Sequence, residues 1–224
     1  MIIKKEELRL YGITDRKMFL EHQFSGTDHP MSETDKYQIL VEQAILGGIT
    51  MLQLREKDLP QEAYVERAGQ VLEVTKRYRI PLIINDDPMV ALLSGADGVH
   101  VGQEDETIRN AREILGENRI IGATAHNLEE ARRAYEQGAD YLGVGAAFGS
   151  VTKKDAKPID RETYRSICES VPIPVVAIGG ITADNIGELS GRGLSGIAVI
   201  GALFGTENIK EGARMLRAEV EKRL

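Results

Sequence analysis

Four times along the chain a glycine opens a three-residue step into a short apolar run: Gly48-Ile49-Thr50, Gly95-Ala96-Asp97, Gly138-Ala139-Asp140 and Gly193-Leu194-Ser195. A glycine that ends a helix in the left-handed conformation and hands the chain directly to a buried strand explains each instance. The steps recur at intervals of about 43 to 55 residues, the length of two strand–helix units. Between them lie apolar runs that begin differently, Ile80-Pro81-Leu82-Ile83-Ile84, Arg119-Ile120-Ile121-Gly122 and Ile173-Pro174-Val175-Val176-Ala177-Ile178. With Leu8 to Ile13 as the first, eight strands are predicted. All are continuous apolar runs rather than alternating ones, as parallel strands covered on both faces should be.

Helices are predicted between them. Tyr64, Val65, Ala68, Val71, Leu72 and Tyr78 recur at helical spacing within 61–78. Leu128, Ala131, Ala134 and Tyr135 do the same behind a capping pair, Asn127 with Glu130, and Ile209, Ala213, Leu216 and Val220 repeat the pattern near the end. Eight strand–helix units with a two-unit repeat favour a closed α/β barrel over an open doubly wound sheet: a (β/α)8 TIM barrel, read as a single domain over 1–224. The stretch from Lys17 to Thr34 fits neither helix nor strand and is expected to be a long rim loop.

Composition narrows the partners. A formal charge of −7 argues against a nucleic-acid groove, which needs a surplus of Lys and Arg. The charged start of the chain and the lack of any long apolar stretch lead to the expectation of a cytoplasmic protein with no membrane contact, and a homo-oligomer is allowed. Cys168, the lone cysteine, falls on the apolar side of a helix with Tyr164 and Ile167 and reads as packing.

In such a barrel, chemistry belongs to the polar residues that follow each strand. After strand two come Gln53, Arg55 and Lys57; Gln53 and Arg55 alternate with Leu52 and Leu54 and should face inward, where Arg55 and Lys57 can hold a multiply charged anion. Asn85-Asp86-Asp87 follows strand three and Gly102-Gln103-Glu104-Asp105 strand four. Either acidic group alone reads as helix capping. On neighbouring strands about 5 Å apart, beside two cations, they suit one Mg2+ that takes further oxygens from a diphosphate. Four scattered histidines and one cysteine argue against zinc. Thr124, after strand five, is a candidate donor, and His126 is read as finishing the turn beside the Asn127 cap. Ser150, Thr152 and Lys153 after strand six, Gly179-Gly180 after strand seven and Gly201 after strand eight suit a second, metal-free phosphate site.

Taken together, these motifs resemble the thiamine phosphate synthase family over nearly the whole barrel. The match runs from Tyr11-Gly12-Ile13-Thr14-Asp15 to Ile200, and its specific parts are Gln53 to Lys57, Asn85-Asp86-Asp87, Gly102 to Asp105, Thr152 to Asp155 and Ile178 to Thr182. The resemblance implies a transferase of thiamine biosynthesis. It would join the pyrimidinylmethyl group of hydroxymethylpyrimidine diphosphate to hydroxyethylthiazole phosphate, giving thiamine phosphate and diphosphate by a dissociative route. It implies Asp86 and Asp105 as Mg2+ ligands. Gln53, Leu54, Arg55, Glu56, Lys57, Asn85, Thr124 and Lys153 would hold the pyrimidine diphosphate, with Arg55, Lys57, Thr124 and Lys153 catalytic. Ser150, Val151, Thr152, Gly180, Ile200 and Gly201 would hold the thiazole phosphate. Thr124 stands where the family commonly has Ser, Gly201 replaces a frequent Ser, and the 17–34 loop is longer than usual; these bear on affinity rather than reaction type. An isomerase of the thiazole precursor, or a silent thiazole phosphate-binding barrel that regulates partners, are the competing readings. The first has no use for Arg55, Lys57, Asp86 and Asp105 together.

Overall fold

The computed structural model describes residues 3–23, 31–102, 105–149 and 158–224, with backbone only at 105 and 106. Eight parallel strands close into a barrel in sequence order: β1 (Leu10–Ile13), β2 (Met51–Leu54), β3 (Leu82–Asn85), β4 (Gly98–Val101), β5 (Ile120–Ala125), β6 (Tyr141–Gly145), β7 (Val175–Ile178) and β8 (Gly196–Val199), with β8 pairing back onto β1. Around them lie α1 (Arg16–Glu21), α2 (Glu33–Gly47), α3 (Gln61–Tyr78), α4 (Pro88–Ser94), α5 (Asp105–Leu115), α6 (Leu128–Glu136), α7 (Arg161–Ser170), α8 (Gly201–Phe204) and α9 (Ile209–Arg223). Between β7 and β8 the outer layer is reduced to a 3-10 turn, Ile186–Leu189. The expected eight-stranded barrel is present, with β1 starting two residues later than read; Leu8 ends a 3-10 turn, Lys5–Leu8.

The four repeated steps have a fuller role than helix termination. Gly48, Gly95, Gly138 and Gly193 all take positive φ; the first three follow helix ends as expected, whereas Gly193 lies beyond the 3-10 turn Ile186–Leu189 and ends no helix. The third residue of each step also anchors its strand to the one before. The backbone N–H groups of Thr50, Asp97, Asp140 and Ser195 donate to the carbonyls of Leu10, Leu82, Ile121 and Val175 at 2.7 to 2.9 Å. In three of the four the side chain accepts in return: Thr50 Oγ1 from Leu10 N–H at 3.0 Å, Asp97 from Leu82 N–H and Asp140 from Ile121 N–H, both at 2.8 Å. The repeat is therefore a device that sets the register of odd–even strand pairs at the end of the barrel opposite the site.

Parity along the strands separates two cores. Leu52, Leu54, Ile84, Val99, Ala123 and Val144 point outward into the layer beneath the helices, while Tyr11, Met51, Ile83, Ile120, Tyr141 and Val176 fill the barrel. Ile3 and Leu8 join the inner group, so the N-terminal segment closes the bottom. Helix starts are fixed locally: Asp15, Ser32, Asp87, Asn127, Asp160 and Asn208 each accept backbone N–H bonds at the first turns of α1, α2, α4, α6, α7 and α9.

Two expectations need correction. Tyr78 and Tyr135, read as parts of apolar helix faces, are exposed; Tyr78 donates to Glu42 instead of entering the core. The 17–34 segment is not loop throughout. Asp15 starts α1, Phe19 packs against Tyr37 and Phe204, and Glu33 opens α2, while residues 24–30 lie outside the described set. Cys168 is half-buried as expected, its thiol pushed up to about 11 by burial. No helix among the described residues is long and apolar enough to cross a membrane.

Candidate active site

At the carboxyl ends of the strands the inward positions turn polar. Gln53, the last inward residue of β2, is buried, and its Nε2 donates to the Tyr11 hydroxyl at 2.7 Å. Arg55 follows two residues on. Its backbone N–H donates to Thr14 Oγ1 at 2.9 Å and its guanidinium lies 3.8 Å from the Asp15 carboxylate, so the ends of β1 and β2 hold it over the mouth. Lys57 is exposed beyond it.

Leu54 and Glu56 have the opposite parity and their side chains leave the mouth. Leu54 is core, and its carbonyl accepts from the Tyr64 hydroxyl at 2.7 Å. Glu56 is buried against α2 and α3, where it accepts from the Tyr37 hydroxyl. Arg67 lies over the Tyr37 ring and bonds Glu33 at 2.8 Å, and Arg16 bonds Glu33 at 3.1 Å. Burial raises the Glu56 carboxyl above its ordinary range, against the pull of Tyr37, Arg67 and Arg16. Leu54 and Glu56 therefore meet a ligand only through their backbone.

The two acids after β3 divide the work. Asp87 caps α4, accepting from Val90 N–H at 2.9 Å. Asp86 is exposed and sits at φ 65°, a left-handed conformation costly for a residue with a Cβ, with its N–H bonded to the His100 carbonyl at 2.9 Å. Asn85 Nδ2 donates to the Asp86 carboxylate at 2.6 Å. Strain of this kind gathers where a side chain must be aimed. The backbone of Asp105 opens α5 just after β4; its side chain lies outside the described residues. No group of three or more His, Cys, Asp or Glu side chains able to hold a metal occurs among the described residues. Mg2+ needs no such cage: one or two carboxylates and substrate oxygens suffice, and the exposed Asp86 carboxylate, oriented by Asn85, fits that requirement.

Across the mouth, Thr124 at the end of β5 is half-buried, its Oγ1 3.0 Å from His100 Nε2. His126 sits in the helix-start turn, its N–H donating to Glu130 at 2.7 Å, in keeping with the structural reading. On the far side Gly179 and Gly180 both take positive φ after β7. A Cβ at Gly180 would lie 2.8 Å from the Gly149 carbonyl, so the loop leaving β6 passes directly over it. Ile200 and Gly201 stand where β8 turns into α8, with Gly201 exposed and Met18 of α1 beside it. Ser150, Val151, Thr152 and Lys153 lie outside the described residues.

Sequence reading passed over His100, Tyr11 and Tyr141, which reach the same interior. The signal was present: His100 stands between the outward Val99 and Val101, the parity that singled out Gln53.

A closed parallel barrel whose polar side chains converge at the carboxyl ends of its strands has the architecture of a (β/α)8-barrel enzyme. The family model described as thiamine monophosphate synthase matches residues 27–203. The thiamine-phosphate synthase of Clostridium acetobutylicum is 42% identical over 220 residues, covering 98% of each chain, and that of Alkaliphilus oremlandii is 46% identical over 181 residues, 81% of this chain and 87% of its own. Among solved structures, thiamine phosphate pyrophosphorylase from Pyrococcus furiosus superposes with a TM-score of 0.83 at 39% identity, covering 97% of this chain and 98% of that one. The chain belongs to the thiamine monophosphate synthase family, a family of transferases.

Proposed function

We propose that the protein transfers the pyrimidinylmethyl group of hydroxymethylpyrimidine diphosphate to the ring nitrogen of hydroxyethylthiazole phosphate, releasing diphosphate and thiamine phosphate. The observation that carries this is the grouping at one mouth of Gln53, Arg55, an uncapping Asp86 with Asn85, and Thr124, set across from the glycines that follow β7 and β8. One side suits a ring with a diphosphate and the other a monophosphate.

The bond between the methylene carbon and the diphosphate oxygen breaks with its electron pair on oxygen, and the thiazole nitrogen lone pair forms the new C–N bond. The electron-rich pyrimidine stabilises the methylene cation between the two events, so no protein nucleophile is needed. Arg55, Lys57 and Lys153 oppose the charge growing on the leaving diphosphate, Thr124 donates to the substrate, and Gln53 and Asn85 orient it. Mg2+ held by Asp86 and Asp105 would add charge neutralisation on the diphosphate. Leu54 and Glu56 contribute backbone groups to this subsite. Ser150, Val151, Thr152, Gly180, Ile200 and Gly201 hold the thiazole phosphate, largely through N–H groups that glycine leaves open to close approach. Both substrates are small cytoplasmic molecules on this reading.

Purified protein given both substrates and Mg2+ should release diphosphate and thiamine phosphate in equal amounts, and a chelator should stop it. Absence of product with both substrates and metal present overturns the proposal. Conversion of a thiazole tautomer without the pyrimidine would support an isomerase instead.

A further inference from the structure

An unbroken chain of hydrogen bonds runs through the barrel interior from β2 to β5. Gln53 Nε2 donates to the Tyr11 hydroxyl at 2.7 Å, which is 2.8 Å from the Tyr141 hydroxyl. The Tyr141 hydroxyl is 3.0 Å from His100 Nδ1, and His100 Nε2 is 3.0 Å from Thr124 Oγ1. Both ends are residues of the substrate site; the three middle residues have no part in the mechanism above.

The chain has a direction, fixed at its Gln53 end. Gln53 Nε2 donates, so the Tyr11 oxygen accepts, and the described acceptor within reach of the buried Tyr11 hydrogen is the Tyr141 oxygen. The described acceptor left for the Tyr141 hydrogen is His100 Nδ1, 3.0 Å away, which makes Nδ1 the bare nitrogen of the ring. His100 Nε2 therefore carries the hydrogen and donates to Thr124. The proton of Thr124 is left to point elsewhere, and at the other end Gln53 Oε1 receives no hydrogen bond from a described residue. Desolvation holds both phenols well above their ordinary range, so each keeps its one proton. The barrel is built around this line: a Cβ at Gly122 would overlap the Tyr141 ring, and one at Gly143 would lie 3.2 Å from His100 Cε1.

The geometry points to Tyr11, Tyr141 and His100 as positioning residues that lock His100 as its Nε2–H tautomer and make the mouth offer an acceptor at Gln53 and a donor at Thr124. Resting on the reading that these two residues hold the pyrimidine, the relay selects a ring that turns an N–H toward β2 and a lone pair toward β5. An aminopyrimidine meets that demand. Its oxo counterpart, which puts a carbonyl where the amine was, sets acceptor against acceptor at Gln53, a mismatch a hydrogen-bonding site rejects strongly.

Nitrogen-detected NMR of the histidine-labelled full chain reads the tautomer without substrate or activity, with the His100→Gln spectrum assigning the signal. The expected result is a neutral His100 ring protonated at Nε2. Protonation at Nδ1 would mean the chain runs the other way and overturns the relay, whatever the enzyme does. In kinetics, Tyr141→Phe should raise KM for the pyrimidine diphosphate by about tenfold, leave KM for the thiazole phosphate unchanged, and shrink a preference for the amino over the oxo ring from about 100-fold to below tenfold. Equal preference in wild type and Tyr141→Phe would overturn the selectivity. Tyr11→Phe, which cuts the chain one bond earlier, serves the same purpose if Tyr141→Phe does not fold. A wild type that makes no product while showing the Nε2–H tautomer would sink the transferase reading and leave the relay standing.

Discussion

The Arg55 guanidinium lies 3.8 Å from the Asp15 carboxylate, and that carboxylate also accepts the Met18 N–H at 3.2 Å at the start of α1. One acid thus joins the cation that follows β2 to the helix whose Met18 lies beside Gly201 at the end of β8.

Arg55→Gln should lower kcat/KM for the pyrimidine diphosphate by about 100- to 1000-fold, the scale for removing a charge aimed at a leaving group, with thermal unfolding little changed. Asp15→Ala should act on both properties. Loss of the cap costs about 1 kcal/mol of stability, and release of Arg55 lowers kcat/KM by about tenfold. Steady-state kinetics and denaturant titration on the two variants separate these effects.

Asp86 and Asp87 are adjacent acids with different work, and substitution should separate them. Asp87→Ala removes the α4 cap and should cost about 1 kcal/mol while leaving turnover within a few-fold of wild type. Asp86→Gly relieves the backbone held at φ 65° and should leave stability within about 1 kcal/mol of wild type or better. It should nearly abolish turnover and the response to added Mg2+. Retained Mg2+-dependent activity in Asp86→Gly would remove Asp86 from the metal site.

The buried Glu56 makes a pH-dependent contribution whose sign follows from its raised pKa. The folded state favours the protonated carboxyl, so its stabilising contribution is full below the ordinary value of 4.5 and is lost as pH rises through the raised value. Glu33, lowered chiefly by Arg67, works in the opposite sense, its contribution being lost as pH falls. Glu56→Gln should therefore gain stability relative to wild type as pH climbs from mildly acidic to neutral. Denaturant midpoints across that range check it; a constant difference between the two proteins would show that Glu56 does not titrate in the fold.

Gly122→Ala places a methyl group in the Tyr141 ring. Overpacking of this kind costs about 1 to 3 kcal/mol, and a displaced Tyr141 breaks the line to His100. The expected outcome is a lower Tm together with a raised KM for the pyrimidine diphosphate alone. Unchanged KM in a destabilised protein would confine Gly122 to packing.

The barrel and much of its rim were legible in the sequence because the signals are local. Strands announce themselves as continuous apolar runs, helices by their period and caps, and the four glycine steps by a left-handed residue only glycine adopts cheaply. Parity then told which residues after a strand face inward, correctly for Gln53. It was not followed to His100, nor to Glu56, whose even offset from Leu54 turns it toward α2.

What the tertiary structure alone decided is which polar groups meet. Asp86 and Asp87 are equally good caps on paper; the hydrogen bond from Asp86 N–H to the His100 carbonyl on the next strand sets their roles. The Tyr11 and Tyr141 hydroxyls, 130 residues apart in the chain, come together only when β1 and β6 face each other across a closed barrel. Period and capping reach a few residues along the chain, whereas partners across the mouth depend on the register of all eight strands at once.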